Sequence, residues 1–448
     1  MTQMNRLLHN TTWMMINQIF QLAVSFFVGM ATVRYLGPSN YGEITYIASY
    51  VSFFSSFTYL GLETVIINRL IFYKERDGEV IASATFLRFL AGLISVLSIS
   101  VLVYYMDHDP QLLKIADIMS LRLLFSAFNT VDYWYQYKLL SKKTAIVDMA
   151  AFAIASAYRI YILVSGKNIY WFAFYETLLY LLNMLFYIPM FHRDCTHPIR
   201  ISRDICRDLL KACLPYLIAA VMLSLYSEID RVMIKQMMHS TAEVGYYSAA
   251  VTICNLISFI PESLSLSARP VLMEMRQNNA SSYNLRVTQV LALIIWFSML
   301  YSVLITIFAR WVIQMLYGSD YAAAAPALMI MVWSSLFSHL TKIRDLWLLG
   351  ENQSRLVTGF SFIGVVMNVA LNALLIPRYG ICGAAVATVV TQAVLAVAAP
   401  ALFPGTRQFA IDVIHALTLR GVNVRDLVQE VKDALPGTRR REDHAGND

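Results

Sequence analysis

Apolar residues in this chain fall into long continuous runs rather than the one-face or alternating patterns of soluble elements. Twelve runs of about 20 residues, the length a helix needs to cross about 30 Å of hydrocarbon, can be marked off. The first six are Trp13–Val33, Ile44–Leu62, Ala84–Val103, Ile115–Tyr135, Ala145–Val164 and Tyr170–Met190. The second six are Cys213–Ile234, Tyr246–Leu264, Thr288–Ala309, Ala322–Thr341, Leu356–Ile376 and Gly383–Leu402. Barrel strands would be runs of about 10 residues with strict alternation, so helices are expected throughout. The pattern predicts an all-α integral membrane protein with twelve transmembrane helices.

The connections repeat. Within the first six helices they are 10, 21, 11, 9 and 5 residues long, and within the second six 11, 23, 12, 14 and 6. A basic linker, Phe191–Ala212, joins the halves, and Tyr41-Gly42 before the second helix is echoed by Gly245-Tyr246 before the eighth. An even number of helices gives both halves the same topology, related by an axis along the membrane normal. The expectation is therefore two six-helix bundles around a central cavity: residues 1–209, residues 210–403, and a cytoplasmic tail, 404–448. Leu427, Val428, Val431 and Leu435 in that tail share one helical face, which predicts an interfacial helix over Arg420–Leu435.

Composition supports the membrane reading. Of 448 residues 58% are hydrophobic and 14% charged, against about 45–50% and 25% in soluble domains. With the amino terminus inside, the cytoplasmic segments hold 25 Lys and Arg and the outer loops 6. That asymmetry predicts cytoplasmic termini and a first apolar run that stays as an anchor. The net charge of +6 is too small to argue for nucleic acid. The five cysteines show no CxxC or Cys/His spacing and read as reduced packing residues.

There is no phosphate-binding loop, GxSxG, HExxH or cluster of metal ligands in the sequence, so neither a catalytic site nor a cofactor or metal is expected. The outer loops reach only 12 residues, which argues against an enzyme building polymers at the outer face. The informative residues are polar groups at membrane depth, where each costs free energy unless it faces protein or water. Asn17, Gln21 and Ser25 share one face of the first helix. Arg88, Arg122, Arg159 and Arg231 lie within predicted helices, as do Asp117, Asp132, Asp148, Glu176, Glu228, Asp230 and Glu262. Asp117, Asp148 and Arg231 sit near segment ends, where snorkelling is an alternative. For the deeper groups the choice is between an interhelical ion pair and the wall of a hydrated cavity. Arginines among mixed charges suit an anionic, hydroxyl-rich substrate, because the guanidinium fork holds phosphate and stays charged when partly desolvated.

Three separated motifs carry a family resemblance. Pro377-Arg378-Tyr379-Gly380-Ile381-Cys382-Gly383-Ala384-Ala385-Val386-Ala387-Thr388 resembles the signature entering the last helix of bacterial polysaccharide flippases. Pro215, Ser227–Ile234 and Gly245–Ala250 resemble their seventh-helix motif, and Tyr35-Leu36-Gly37-Pro38 with Tyr41-Gly42 their first outer loop. The chain thus resembles the multidrug/oligosaccharidyl-lipid/polysaccharide exporter superfamily, in particular its O-antigen (Wzx-type) flippase branch. The resemblance implies translocation of undecaprenyl-diphosphate-linked O-antigen repeat units across the bacterial inner membrane, with H+ or Na+ as coupling cation, and contact with other polysaccharide assembly proteins. On that reading Asn17, Gln21, Arg88, Arg122, Arg159, Asp230 and Arg231 line the substrate cavity, while Asp132, Glu176 and Glu262 serve ion coupling. A multidrug antiporter of the same superfamily and a membrane polymerase of lipid-linked sugars are the alternatives. Lipid II flippases usually have fourteen helices, and twelve weigh against that branch.

Overall fold

The computed structural model describes residues 3–420, apart from 257, 259, 263, 266–279 and 352. It is helical, with no strand among the described residues. This is the answer hydrocarbon imposes, since every backbone N–H and C=O must find its partner within the segment. Among the described residues eight helices are long and apolar enough to cross a membrane. Two of them each hold two of the twelve expected spans.

The first of these is α1 (Gln3–Tyr59), which contains the first expected span and all but the last three residues of the second, and is broken only at Gly37. There φ is 69°, a conformation glycine reaches without Cβ strain. Pro38 follows and has no N–H to satisfy at the start of a new helix. The expected ten-residue outer loop is thus a one-residue bend. A second bend at Gly380, φ 56°, interrupts a helix of 40 residues, Ser354–Ala393.

Between these long helices run α2 (Leu62–Phe72), α3 (Asp77–Asp107), then the fourth expected span in pieces: α4 (Pro110–Ser120), α5 (Arg122–Ser126), a 3-10 turn at Ala127–Asn129 and α6 (Thr130–Tyr137). The fragmentation has a local cause. Ser120, Ser126 and Thr130 hydroxyls donate back to the carbonyls of Asp117, Leu123 and Ala127, competing with the helical ladder. Two further donors capture carbonyls of the same stretch: Thr177 Oγ1 that of Ile118, at 2.7 Å, and the Arg88 guanidinium that of Ser126, at 3.0 Å.

The chain continues through α7 (Ser141–Val164), α8 (Ile169–Asp194), α9 (Arg203–Met238), α10 (Thr241–Asn255), α11 (Ala280–Tyr317), α12 (Ala324–Gly350) and α13 (Ser354–Ala393). A π-helical turn, Val394–Ala398, and α14 (Ala399–Leu402) complete the twelfth span, and α15 (Arg407–Thr418) follows.

The residues group into two compact units. One comprises the described residues within 1–249, 313–324 and 372–381; the other those within 250–312, 325–371 and 382–448. In the first, Leu62, Ile66, Leu70, Val80, Tyr135, Tyr187 and Leu209 form one buried cluster. The second has a core of Leu291, Ile295, Leu348, Phe360 and Phe409. There the buried Arg344 donates to the Leu395 carbonyl at 2.5 Å, inside the π-helical turn, where the backbone ladder is loosened. Its guanidinium also lies 4.7 Å from the Phe360 ring centre. Within the stretch expected to be a tail, α15 packs Phe409 and Val413 into this core. The interfacial helix expected over Arg420–Leu435 falls, past Arg420, outside the described residues.

Candidate functional site

Three groups of polar side chains lie among the helices of the first unit. The first surrounds α8. Arg122 is ion-paired with Glu176 and faces the Tyr180 ring at 6.0 Å. Arg159 lies 4.5 Å from the centre of the Tyr175 ring. Two sides of α8 are thus occupied by arginines: Glu176 and Tyr180 face Arg122, and Tyr175, one residue before Glu176 and so turned away from it, faces Arg159. Exposure differs within the ion pair: the Arg122 side chain is 15% exposed and that of Glu176 42%.

The second group lines a polar cavity of about 270 Å³ formed by Asn17, Gln18, Gln21, Asp132, Ser141, Thr144, Ala145 and Asp148. Gln21 Nε2 donates to Asn17 Oδ1 at 2.9 Å, the i,i+4 relation that the shared helical face predicts. Gln136 Nε2 donates to Asp132 at 2.7 Å and the Tyr187 hydroxyl to Asp148 at 2.6 Å. Asp148, for which snorkelling was the alternative, instead stands in the same cavity as Asp132.

The third group joins α9, α10 and the middle of α13, ahead of its bend. Asp230, 6% exposed, accepts from Asn372 Nδ2 at 2.6 Å and from the Tyr247 hydroxyl. Its neighbour Arg231 turns elsewhere, to Glu228 and to Ser248 Oγ at 3.1 Å. Arg88 belongs to none of these groups. It is 1% exposed, donates to Thr130 Oγ1 and the Ser126 carbonyl, and lies 4.7 Å from the Tyr59 ring centre. Arg88 is a strut that holds the broken fourth span. In the second unit Glu262 is ion-paired with Lys342, both about half exposed.

Sequence reading passed over two networks because their charged members fall in predicted loops. At the bend end of α1, Asp107 accepts from the Tyr46 hydroxyl at 2.8 Å and from Gln236 Nε2 at 3.2 Å, with Lys235 Nζ at 3.6 Å. Beside it Gly42 and Gly245 bring two backbones together: a Cβ built on Gly245 would lie 2.0 Å from the Pro38 carbonyl oxygen, and one on Gly42 1.7 Å from that of Thr241. The repeated Tyr-Gly pairs thus meet each other. At the opposite end Asp77 accepts from Trp134 Nε1 at 2.9 Å and lies 2.7 Å from His197 Nδ1 and 3.1 Å from Lys138 Nζ. Glu79, ahead of the apolar run, accepts from Arg200 and Arg76, which together hold its carboxyl below the usual range.

Residues 31–326 match the family model described as polysaccharide biosynthesis protein. The chain belongs to that family. An uncharacterised membrane protein of Methanocaldococcus jannaschii is 22% identical over 423 residues, covering 87% of this chain and 82% of the relative. Among solved structures, an inward-facing multidrug resistance MATE transporter of the MOP superfamily aligns with a TM-score of 0.65 at 15% identity, over 90% of this chain and 99% of that one. The lipid II flippase MurJ, in an inward closed conformation, aligns with 0.66 at 13% identity, over 94% and 92%. The chain therefore shares the all-α fold of these two membrane proteins.

Proposed function

We propose that this polysaccharide biosynthesis protein is a flippase. It would carry a polyprenyl-diphosphate-linked saccharide repeat unit, of the O-antigen type, across the bacterial inner membrane by alternating access. One conjunction carries the reading: a family defined by polysaccharide biosynthesis on a fold shared with a lipid II flippase and a multidrug resistance transporter. The proposed orientation puts both termini and the 191–212 linker in the cytosol, from the distribution of basic residues. A cysteine at Lys167 or Ser319 should then be labelled from outside in intact cells, and one at Arg200 should not. Labelling at Arg200 would reverse the inferred direction of transport.

Within this reading the halves remain residues 1–209 and 210–403. The side of α8 with Glu176 and Tyr180, facing Arg122, becomes the candidate saccharide-diphosphate contact, since an aromatic ring and a guanidinium fork suit sugars and phosphate. The oxygen-rich cavity around Asn17, Gln21, Asp132 and Asp148 is the candidate for the coupling cation, which prefers carboxylate and carbonyl oxygens. Glu176 and Glu262 each already face a cationic side chain, so Asp132 takes the coupling role in preference to them. Asp230 and Arg231 stay candidates for the substrate path, and Arg88 is reassigned to support.

The decisive measurement sets surface polysaccharide beside membrane abundance for Arg122→Ala, Glu176→Gln and the double variant. Arg122→Ala alone leaves Glu176 without its cation and should lower both. The double variant should recover abundance while export stays at least tenfold down. If export also recovers, the pair is a brace and the substrate contact lies elsewhere. Restored drug resistance in place of polysaccharide export would favour the multidrug reading, which the comparable likeness to the MATE transporter keeps in play.

A further inference from the structure

A groove of about 570 Å³ runs along the outside of the first unit between α3, α8, the broken fourth span and the linker. Its size is in the range of small-molecule sites, about 300–1,000 Å³. Its walls are mostly apolar, with Ile81, Phe86, Phe89 and Phe128 among them, and beyond the Thr85 hydroxyl its polar side chains are His192 and Arg200. From Ile81 to Phe89 is eight residues of helix, roughly 12 Å at the helical rise. The groove thus starts beside Glu79 and Arg200 and descends into the run expected to lie in hydrocarbon, Ala84–Val103. Phe86 and Phe89 are 42% and 40% exposed, so it opens to the surroundings of the helices.

The linker that forms one wall is fixed in place. His197 is held by Asp77, the Pro198 carbonyl oxygen would lie 2.6 Å from a Cβ on Gly78, and Ser202 N–H donates to Ser83 Oγ at 3.0 Å. At the rim two guanidiniums, Arg76 and Arg200, share one carboxylate, Glu79. The trio carries one net positive charge, and the Arg200 side chain is 73% exposed.

We propose that this groove holds a membrane phospholipid with an anionic headgroup, its phosphate at Arg200 and one acyl chain along Phe86, Phe89 and Phe128. A single surplus positive charge matches the single negative charge of a phosphodiester, where a prenyl diphosphate would present two or more. The apolar wall supplies the gain of burying methylenes, and the rim supplies the preference for negative headgroups.

The test uses the full-length protein, delipidated in detergent, with binding of radiolabelled dioleoyl phosphatidylglycerol and dioleoyl phosphatidylcholine measured side by side. Phosphatidylglycerol should bind the wild type more tightly. Arg200→Ala should weaken it about fivefold, to the level of phosphatidylcholine, and Arg200→Lys should keep the preference. Ala82→Trp, which fills the groove without touching the rim, should abolish binding of both at that site. Equal binding of the two lipids to wild type, or unchanged binding to well-folded Ala82→Trp, would overturn the proposal. So would displacement of phosphatidylglycerol by undecaprenyl diphosphate at equal or lower concentration, which would give the groove to the transported lipid. None of these outcomes depends on transport.

Discussion

The two ends of the first unit are held by different physics. At the bend end the chain removes side chains. Gly42 and Gly245 let the turn after Pro38 and the start of α10 touch backbone to backbone, and the Asp107 network beside them is dominated by neutral donors, Tyr46 and Gln236. At the linker end charge does the joining. Asp77 meets Lys138 and His197, Glu79 meets Arg76 and Arg200, Asp194 meets Lys143, and Asp208 meets Arg69. Close backbone packing is intolerant of added atoms but indifferent to salt. Partly exposed ion pairs accept variation but are screened. One end is specified by shape and the other by charge, so perturbations should separate them cleanly.

The largest effect is expected at the glycines. With a Cβ 2.0 Å from a backbone oxygen, Gly245→Ala forces the two segments apart, because neither partner is a flexible side chain. Overpacking typically costs about 1–3 kcal/mol, and a backbone clash this short should exceed that range. Thermal unfolding of the purified protein should therefore show a large drop for Gly42→Ala and Gly245→Ala. Gly29→Ala, which meets nothing within 4 Å, is the control and should be near neutral. Equal melting temperatures for all three would mean that the contact is not maintained in solution.

A smaller loss is expected from Asp77→Asn at the other end. The carboxylate is buried, but Lys138 and His197 each remain 35% exposed, so the roughly 3–5 kcal/mol of a broken buried pair should shrink to about 2 kcal/mol. High salt sharpens the comparison. It should narrow the gap between wild type and Asp77→Asn while leaving the Gly245→Ala deficit unchanged. A salt-dependent glycine variant would show that charge also governs the bend end.

Most of the architecture was legible because hydrocarbon leaves the backbone one solution, and runs of about 20 apolar residues announce it. The misreadings have specific causes. The expected loops at Arg34–Glu43 and Pro377–Cys382 are single-residue bends, since one glycine at positive φ suffices to turn a helix. The fourth span looked continuous because a hydropathy window cannot see hydroxyls competing for carbonyls. Helix periodicity did place Asn17 with Gln21, and charge at depth did flag Arg122 and Glu176, but neither says which helix a charge will face. Hence two residues expected in separate roles turned out to be each other's partner. Arg88, expected in the cavity, is enclosed, and Asp148 joined Asp132. Asp107, Lys235 and Gln236 were invisible as a network because it assembles across α1, α3 and α9, from positions that a linear scan files under loops.

The smallest effect tests that network. Tyr46 is fully buried, and its hydroxyl donates to Asp107 at 2.8 Å while accepting from Gln236 Nε2 at 2.9 Å. Tyr46→Phe removes one atom and leaves Asp107 with Gln236 and Lys235, so the carboxylate is not stranded. The hydroxyl's bonds to Asp107, Gln236 and Tyr50 all go. The one to a charged acceptor costs about 1.5–3 kcal/mol when nothing replaces it, but Gln236 still donates to Asp107 and Tyr50 to Met106 Sδ, which should hold the loss to about 1 kcal/mol. Asp107→Asn should cost more, because Lys235, 17% exposed, then loses its counterion. If Tyr46→Phe proves as damaging as Gly245→Ala, the bend end is organised by hydrogen bonding to Asp107, and the glycines merely permit the approach that this network drives.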